Sequence, residues 1–368
     1  MKRVLLIATV QSHIGQFHKP LMKLLKDNGW DIHVAARNNL EEKNGLQLEY
    51  PDKVFNVPFQ RNPFDRRNIS AYIELKKILA ENHYDVVHCN TPVGGILGRL
   101  AAQKYRKKGT QIYYTAHGFH FYEGAPFWNW LIYYPIEKEM SRLTDVLITI
   151  TKEDYKIAKK KFYCPVYYIH GVGANSTKYH PLNRSEQSAL KTNLGLSGRI
   201  IVNCGELLPN KNQKTAILVM KKLISIYPDA HLLIAGNGPE RQKLQNFVEE
   251  MELKKHVTFL GYTLEFDKYL QVCDLEMACS YREGLPLNII EAMLCGKPIV
   301  ASSNRGHREL VIEGKTGYLV RPDDVTDYIK AITCLWSESS LSEKFIIKRG
   351  KKFSDTTVTK ELAKLYHL

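Results

Sequence analysis

Short, unbroken apolar runs alternate along this chain with stretches in which apolar positions recur every three or four residues. The runs Val4–Thr9, Ile32–Ala36, Val86–Cys89, Ile112–Thr115 and Val146–Ile150 form a first series. Ile200–Cys204, Ala230–Ala235, Val257–Leu260, Leu275–Ala278, Pro298–Ala301 and Gly317–Val320 form a second. Runs apolar at every position predict strands buried on both faces. Helical patterns such as Ser70–Glu81, behind Asn68 as a cap, and Pro92–Lys104 lie between them. Such alternation predicts parallel sheets covered on both sides by helices, and two series predict an α/β chain of two Rossmann-like domains. The polar stretch from Val172 to Ser197, with Pro181 and Asn183, reads as the boundary. Ligands of open parallel sheets bind beyond the carboxyl ends of the strands, so the chemistry is expected in the turns that follow the runs.

The turn after Leu275–Ala278 is the most informative. It reads Tyr281-Arg-Glu-Gly-Leu-Pro-Leu-Asn-Ile-Ile-Glu-Ala-Met-Leu-Cys-Gly-Lys-Pro298, with Glu283 and Glu291 eight positions apart. Pro286 suits a first helical turn, Leu287 to Cys295 follows a short helical pattern, and Gly296 with Pro298 stops it. Backbone N–H groups of Gly284, Leu285 and Leu287 are then free at a positive dipole end, a site suited to phosphate. Carboxylates nearby accept hydrogen bonds from sugar hydroxyls. A nucleotide-sugar satisfies both.

These residues resemble the E-x7-E signature of the retaining glycosyltransferases of family 4, which have the GT-B fold. The chain is most similar to the bacterial members that assemble capsular and extracellular polysaccharide, through His88-Cys-Asn-Thr-Pro-Val-Gly-Gly95, Tyr114-Thr-Ala-His-Gly-Phe-His120 and Asn304-Arg-Gly-His-Arg-Glu309. The resemblance implies two Rossmann-like domains facing across a deep cleft. Residues 1–183 would be the acceptor and membrane side, and 184–354 the donor side. The last helix, about 355–368, would pack back on the first domain.

For the site, the resemblance implies that Glu283 binds the hydroxyls of the transferred sugar and Glu291 the ribose. Lys211, in Gly205-Glu-Leu-Leu-Pro-Asn-Lys211, corresponds to the lysine facing the donor diphosphate, as a point charge. Glu206 departs from the family, where arginine is usual, so either Arg282 or Arg305 replaces the missing cation or Glu206 points elsewhere. Gly236 in Ala235-Gly-Asn-Gly-Pro239 lets backbone approach a ligand, and Tyr262 is a candidate for the nucleobase. His117 aligns with the family histidine beside the reacting sugar. Gly15, in a loop after the first strand, is expected near the phosphates.

Composition adds limits. A formal charge of +14 calls for an anionic partner or a tolerant surface. No Walker A, G-x-G-x-x-G or D-x-D site stands out, so no cofactor and no metal are expected, and no nucleic-acid motif accompanies the charge. Seven scattered cysteines without a C-x-x-C pair point to a reducing compartment, the cytoplasm. The apolar N-terminus is too short for a signal peptide and reads as a buried strand. Basic runs before residue 183, with Phe119-His-Phe-Tyr122 and Phe127-Trp-Asn-Trp-Leu-Ile-Tyr-Tyr134, describe a surface for the anionic inner face of the cell membrane; buried aromatics are the alternative. The expected partners are therefore a UDP-sugar (hexose or N-acetylhexosamine), a polyprenyl-diphosphate-linked saccharide and an anionic membrane. A UDP-sugar 2-epimerase on the same fold and a non-catalytic basic binding protein are the competing readings.

Overall fold

The computed structural model describes residues 1–41, 46–337 and 341–368. Contacts divide them into two compact units, Met1–Gly173 with Asp355–Leu368, and Ala174–Ser354. The division falls ten residues before the sequence-based boundary at 183, because Ala174 and Tyr179 are already buried in the core of the second unit. The supposed linker is also partly helical. Arg184–Asn193 is a helix opened by a capping box, in which the Asn183 side chain accepts from Glu186 N–H and the Glu186 carboxylate accepts from Asn183 N–H.

The first unit holds β1 (Arg3–Val10), β2 (Asp31–Arg37), β3 (Lys53–Asn56), β4 (Val86–Asn90), β5 (Gln111–Ala116), β6 (Val146–Thr149) and β7 (Val166–Tyr168). Its sheet runs β3-β2-β1-β4-β5-β6-β7, and each pairing is parallel. The strands read from the sequence are present. The edges β3 and β7 escaped it because they are short and largely uncovered. Two helical details also differ. Asn68 lies inside helix Arg67–Glu81, where its side chain binds Gln60 N–H and the Asn62 carbonyl, so it is not the cap. Gln11–Phe17 is a helix, not a loop, and a Cβ on Gly15 would sit 3.3 Å from Leu48 Cδ2. Gly15 therefore packs against Leu48 and Leu46.

Helix Asp355–Tyr366 completes this unit. The Tyr366 hydroxyl lies 2.6 Å from His88 Nδ1, Tyr113 O–H donates to the Leu365 carbonyl at 2.9 Å, and Glu361 accepts from His170 N–H at 2.9 Å.

The second unit holds β8 (Arg199–Cys204), β9 (Ala230–Ala235), β10 (Val257–Gly261), β11 (Leu275–Ala278), β12 (Ile299–Ser302) and β13 (Gly317–Val320), in the order β10-β9-β8-β11-β12-β13, again parallel. The period-two alternation of strands is visible in the packing. Ile200, Val202, Ile299 and Ala301 join the core layer beneath helix Leu287–Leu294, while Ile201 and Val300 join the opposite layer. In each sheet the strand order reverses between two central strands, β1 and β4 in one, β8 and β11 in the other, and turns diverge at that point.

Candidate functional site

The turns leaving β8 and β11 meet at the second reversal point. Tyr281 N–H donates to the Asn210 carbonyl, and the Asn210 side chain donates to the Arg282 carbonyl, both at 2.9 Å. This lacing brings Lys211 Nζ within 2.6 Å of Glu283 Oε1. Both side chains are largely but not wholly covered, at 22% and 13% exposure. A cation and a carboxylate are thus held side by side with an open edge.

Helix Leu287–Leu294 starts beside Glu283. Pro286 is its N-cap rather than its first residue, and among the described residues no side-chain cap bonds its first turn. Ile289, Ile290 and Met293 anchor the helix in the core. On the far side, a Cβ at Gly306 would meet the Gly284 carbonyl at 2.6 Å and Glu283 Cβ at 2.9 Å. Only glycine lets helix Arg305–Leu310 abut the Glu283 turn so closely. Arg305 is buried, and Arg282 exposed. Glu206 is also exposed, its carbonyl accepting from Gln213.

Glu291 is hydrogen-bonded by Tyr179, and burial pushes its carboxyl up to about 7 against that bond. Its ionisation is therefore poised near neutrality. Gly236, after β9, has φ +132°, and a Cβ there would lie 2.0 Å from the Gly205 carbonyl. The contact between adjacent turns alone demands glycine. Tyr262, after β10, is partly buried.

Two residues absent from the sequence-based set belong to this neighbourhood. Glu276, on β11, points into the layer under helix Leu287–Leu294, accepts from the Asn288 amide and keeps Oε2 buried without a protein partner. Burial pushes its carboxyl up to about 8, and Glu291 adds to the rise. An acid inside an apolar parallel strand was its available signal. His307 is wholly buried; its Nδ1 lies 2.7 Å from the Ser302 carbonyl and its Nε2 has no protein partner. Burial pushes its imidazole down to about 4, against the pull of nearby Glu283.

In the first unit, His117 follows β5 and sits in a group of imidazoles. Its ring centroid is 4.5 Å from that of His13 and 5.3 Å from that of His18. Burial pushes His117 down to about 4 and His88 down to about 3, so both are neutral at pH 7. Asn90 Oδ1 lies 3.3 Å from His117 Nε2 and orients the ring. His13, His18 and His117 form the one group of metal-capable side chains among the described residues.

Residues 186–353 match the model of the glycosyl transferases group 1, and residues 3–151 the glycosyl transferase 4-like model. The protein EpsD of Bacillus subtilis (strain 168) is 39% identical, over 99% of this chain and 96% of its own length. The chain belongs to the group 1, family 4-type glycosyltransferases. A UDP-Gal:alpha-D-GlcNAc-diphosphoundecaprenol alpha-1,3-galactosyltransferase of Escherichia coli is 28% identical, over 94% of this chain and 90% of its own. Among solved structures, HepE of Anabaena, crystallised with UDP and glucose, superposes with a TM-score of 0.78 at 20% identity, covering 100% of both chains. Sucrose-phosphate synthase of Thermosynechococcus elongatus gives 0.81 at 19% identity, covering 100% of this chain and 98% of its own. These likenesses establish the GT-B fold of this glycosyltransferase.

Proposed function

We propose that the enzyme transfers a hexose or N-acetylhexosamine from a UDP-sugar, with retention of configuration, to a polyprenyl-diphosphate-linked saccharide during assembly of a capsular or extracellular polysaccharide. The observation that carries this reading is the Lys211–Glu283 couple beside an uncapped helix N-terminus. Lysine and dipole suit a diphosphate, and the carboxylate suits the hydroxyls of the sugar attached to it. The E. coli relative, named for a UDP-linked donor and a diphosphoundecaprenol-linked acceptor, supports the substrate classes. HepE, crystallised with UDP, supports the nucleotide.

In this reading Glu291 binds the ribose, Tyr262 the base, and Gly236 and the N–H groups of Gly284, Leu285 and Leu287 line the donor. Arg305 or Arg282 supplies the second cation. His117 contacts the reacting sugar. The leaving diphosphate is neutralised by these cations and the helix terminus, so turnover needs neither metal nor cofactor. The test is UDP binding by calorimetry, paired with UDP release from a panel of donors. Lys211→Ala should lose a charge-assisted bond and weaken UDP binding roughly 10–100-fold. Equal affinity in wild type and variant would sink the assignment.

We further propose that the enzyme works in the cytoplasm, resting on anionic lipid at the inner face of the membrane, and has no nucleic-acid partner. No helix among the described residues is long and apolar enough to cross a bilayer. Helix Phe127–Met140 leaves Phe127, Trp128, Leu131, Ile132 and Ile136 exposed, near a full stripe at helical spacing. The neighbouring run is not part of that surface: Phe119 and Phe121 are core.

A further inference from the structure

We propose that His13, His18 and His117 form a binding site for a single zinc-class divalent cation, separate from turnover: while the ion is bound, the His117 nitrogen that holds it is not available to the sugar. One ring nitrogen from each histidine lies within 4.8 Å of the other two. Nitrogens bound at about 2.1 Å to a tetrahedral ion stand about 3.4 Å apart, so closing the trio takes movements of roughly 1 Å, within reach of small side-chain rotations.

The local structure explains why the three converge. Helix Gln11–Phe17 ends at His18, whose φ of −118° breaks it from the next helix, Lys19–Asp27. That break lets two side chains five residues apart point to one place, with ring centroids 5.5 Å apart. His117 arrives from the turn after β5 with its ring edge-on to both.

A second, independent observation points to a ligand. The Nε2 atoms of His13 and His18 are each shut off from solvent and have no hydrogen-bond partner in the protein. Buried ring nitrogens without partners are costly, and a core histidine placed for packing alone normally satisfies both. His88 next door does so, with Thr115 Oγ1 at 2.7 Å and Tyr366 O–H at 2.6 Å. It is therefore occupied, whereas Nε2 of His13 and of His18 is not.

Three imidazoles with no carboxylate or thiolate select a borderline cation such as Zn2+ over Mg2+ or Ca2+, which want oxygen. Three protein ligands leave a fourth position for water or a hydroxyl, and His13 and His117 are only partly buried, which gives a way in. The Asn90 side chain against His117 matches the outer hydrogen bond that orients a ligating imidazole.

The test uses untagged full-length enzyme stripped of metal. Titration with Zn2+ should show one tight site per chain, and Co2+ should develop the visible absorption of a four-coordinate ion. His13→Ala and His18→Ala should each weaken binding by more than the roughly 10–100-fold that loss of an outer partner costs. His180→Ala, at an exposed position, should change nothing. Zn2+ should raise the melting temperature of wild type and not of the two variants. His13→Gln and His18→Asn serve if the alanine variants do not fold. Absence of a stoichiometric site in folded wild type, or unchanged affinity in both ligand variants, overturns the proposal. The titration involves no donor, so its failure and failure of the UDP assignment are read separately.

Discussion

Lys211 and Glu283 illustrate how little of a site one residue carries. Each was legible, one from its place after an apolar run and the other from its spacing to Glu291, but only the laced turns put them 2.6 Å apart. Glu283→Ala should therefore leave the melting temperature close to wild type while lowering kcat/KM about 100-fold, roughly 2.7 kcal/mol of transition-state stabilisation, measured with any donor the enzyme accepts. His117 was legible from its motif, but its convergence with His13 and His18 was not, since it joins residues about a hundred positions apart; Glu276 offered only the signal of an acid inside an apolar strand. Glu276 makes a pH prediction. Its folded value of about 8 exceeds the ordinary 4.5, so the folded state binds the extra proton between those limits. Stability contributed by this group is full below 4.5 and is lost as pH rises through 8. Glu276→Gln should gain on wild type across that window by a few degrees in melting temperature; a gap that stays constant with pH would contradict it. In the first unit, Arg99 is 1% exposed and rests on Glu137 at 2.8 Å, with Tyr114 O–H donating to the same carboxylate. Glu137→Ala strands that cation and should cost about 3–5 kcal/mol in denaturant unfolding.

Among elements, the buried strands were the easiest to read because both faces demand apolar side chains. Exposed edges such as β3 carry no such pattern, and helix Gln11–Phe17 has too few apolar positions to announce itself. Helix Arg184–Asn193 hides in a polar stretch, and its capping box makes it a helix despite burying no residue fully. Asn183→Ala should cost about 1 kcal/mol, read from helical signal and thermal melting. Helix Phe127–Met140 is the element with the clearest unmet surface. Replacing Trp128 and Leu131 by serine should reduce co-sedimentation with anionic vesicles severalfold while sparing UDP binding. Unchanged sedimentation would remove this face from the docking proposal.

At the scale of the whole molecule, the two-series pattern foretold two parallel α/β units, and the family resemblance implied the GT-B fold. What it could not foretell is the exact point of exchange, because Ala174 and Tyr179 show their allegiance only by packing. The second unit is one continuous segment, Ala174–Ser354, whereas the first is made of two pieces. An isolated 174–354 fragment should melt cooperatively by circular dichroism. A 1–173 fragment should not, lacking Val358, Leu362 and Tyr366, until a 355–368 peptide is added. The parallel bridge between Ala174 and Ser354 sets the outgoing and returning chain side by side.

That return has a consequence for biosynthesis. Translation delivers residues 1–173 first, yet His88 and Tyr113 must wait for Leu365 and Tyr366, more than 250 residues later in the chain. The earlier-made portion is thus the last to mature, because all of 174–354 is synthesised before the helix that completes it.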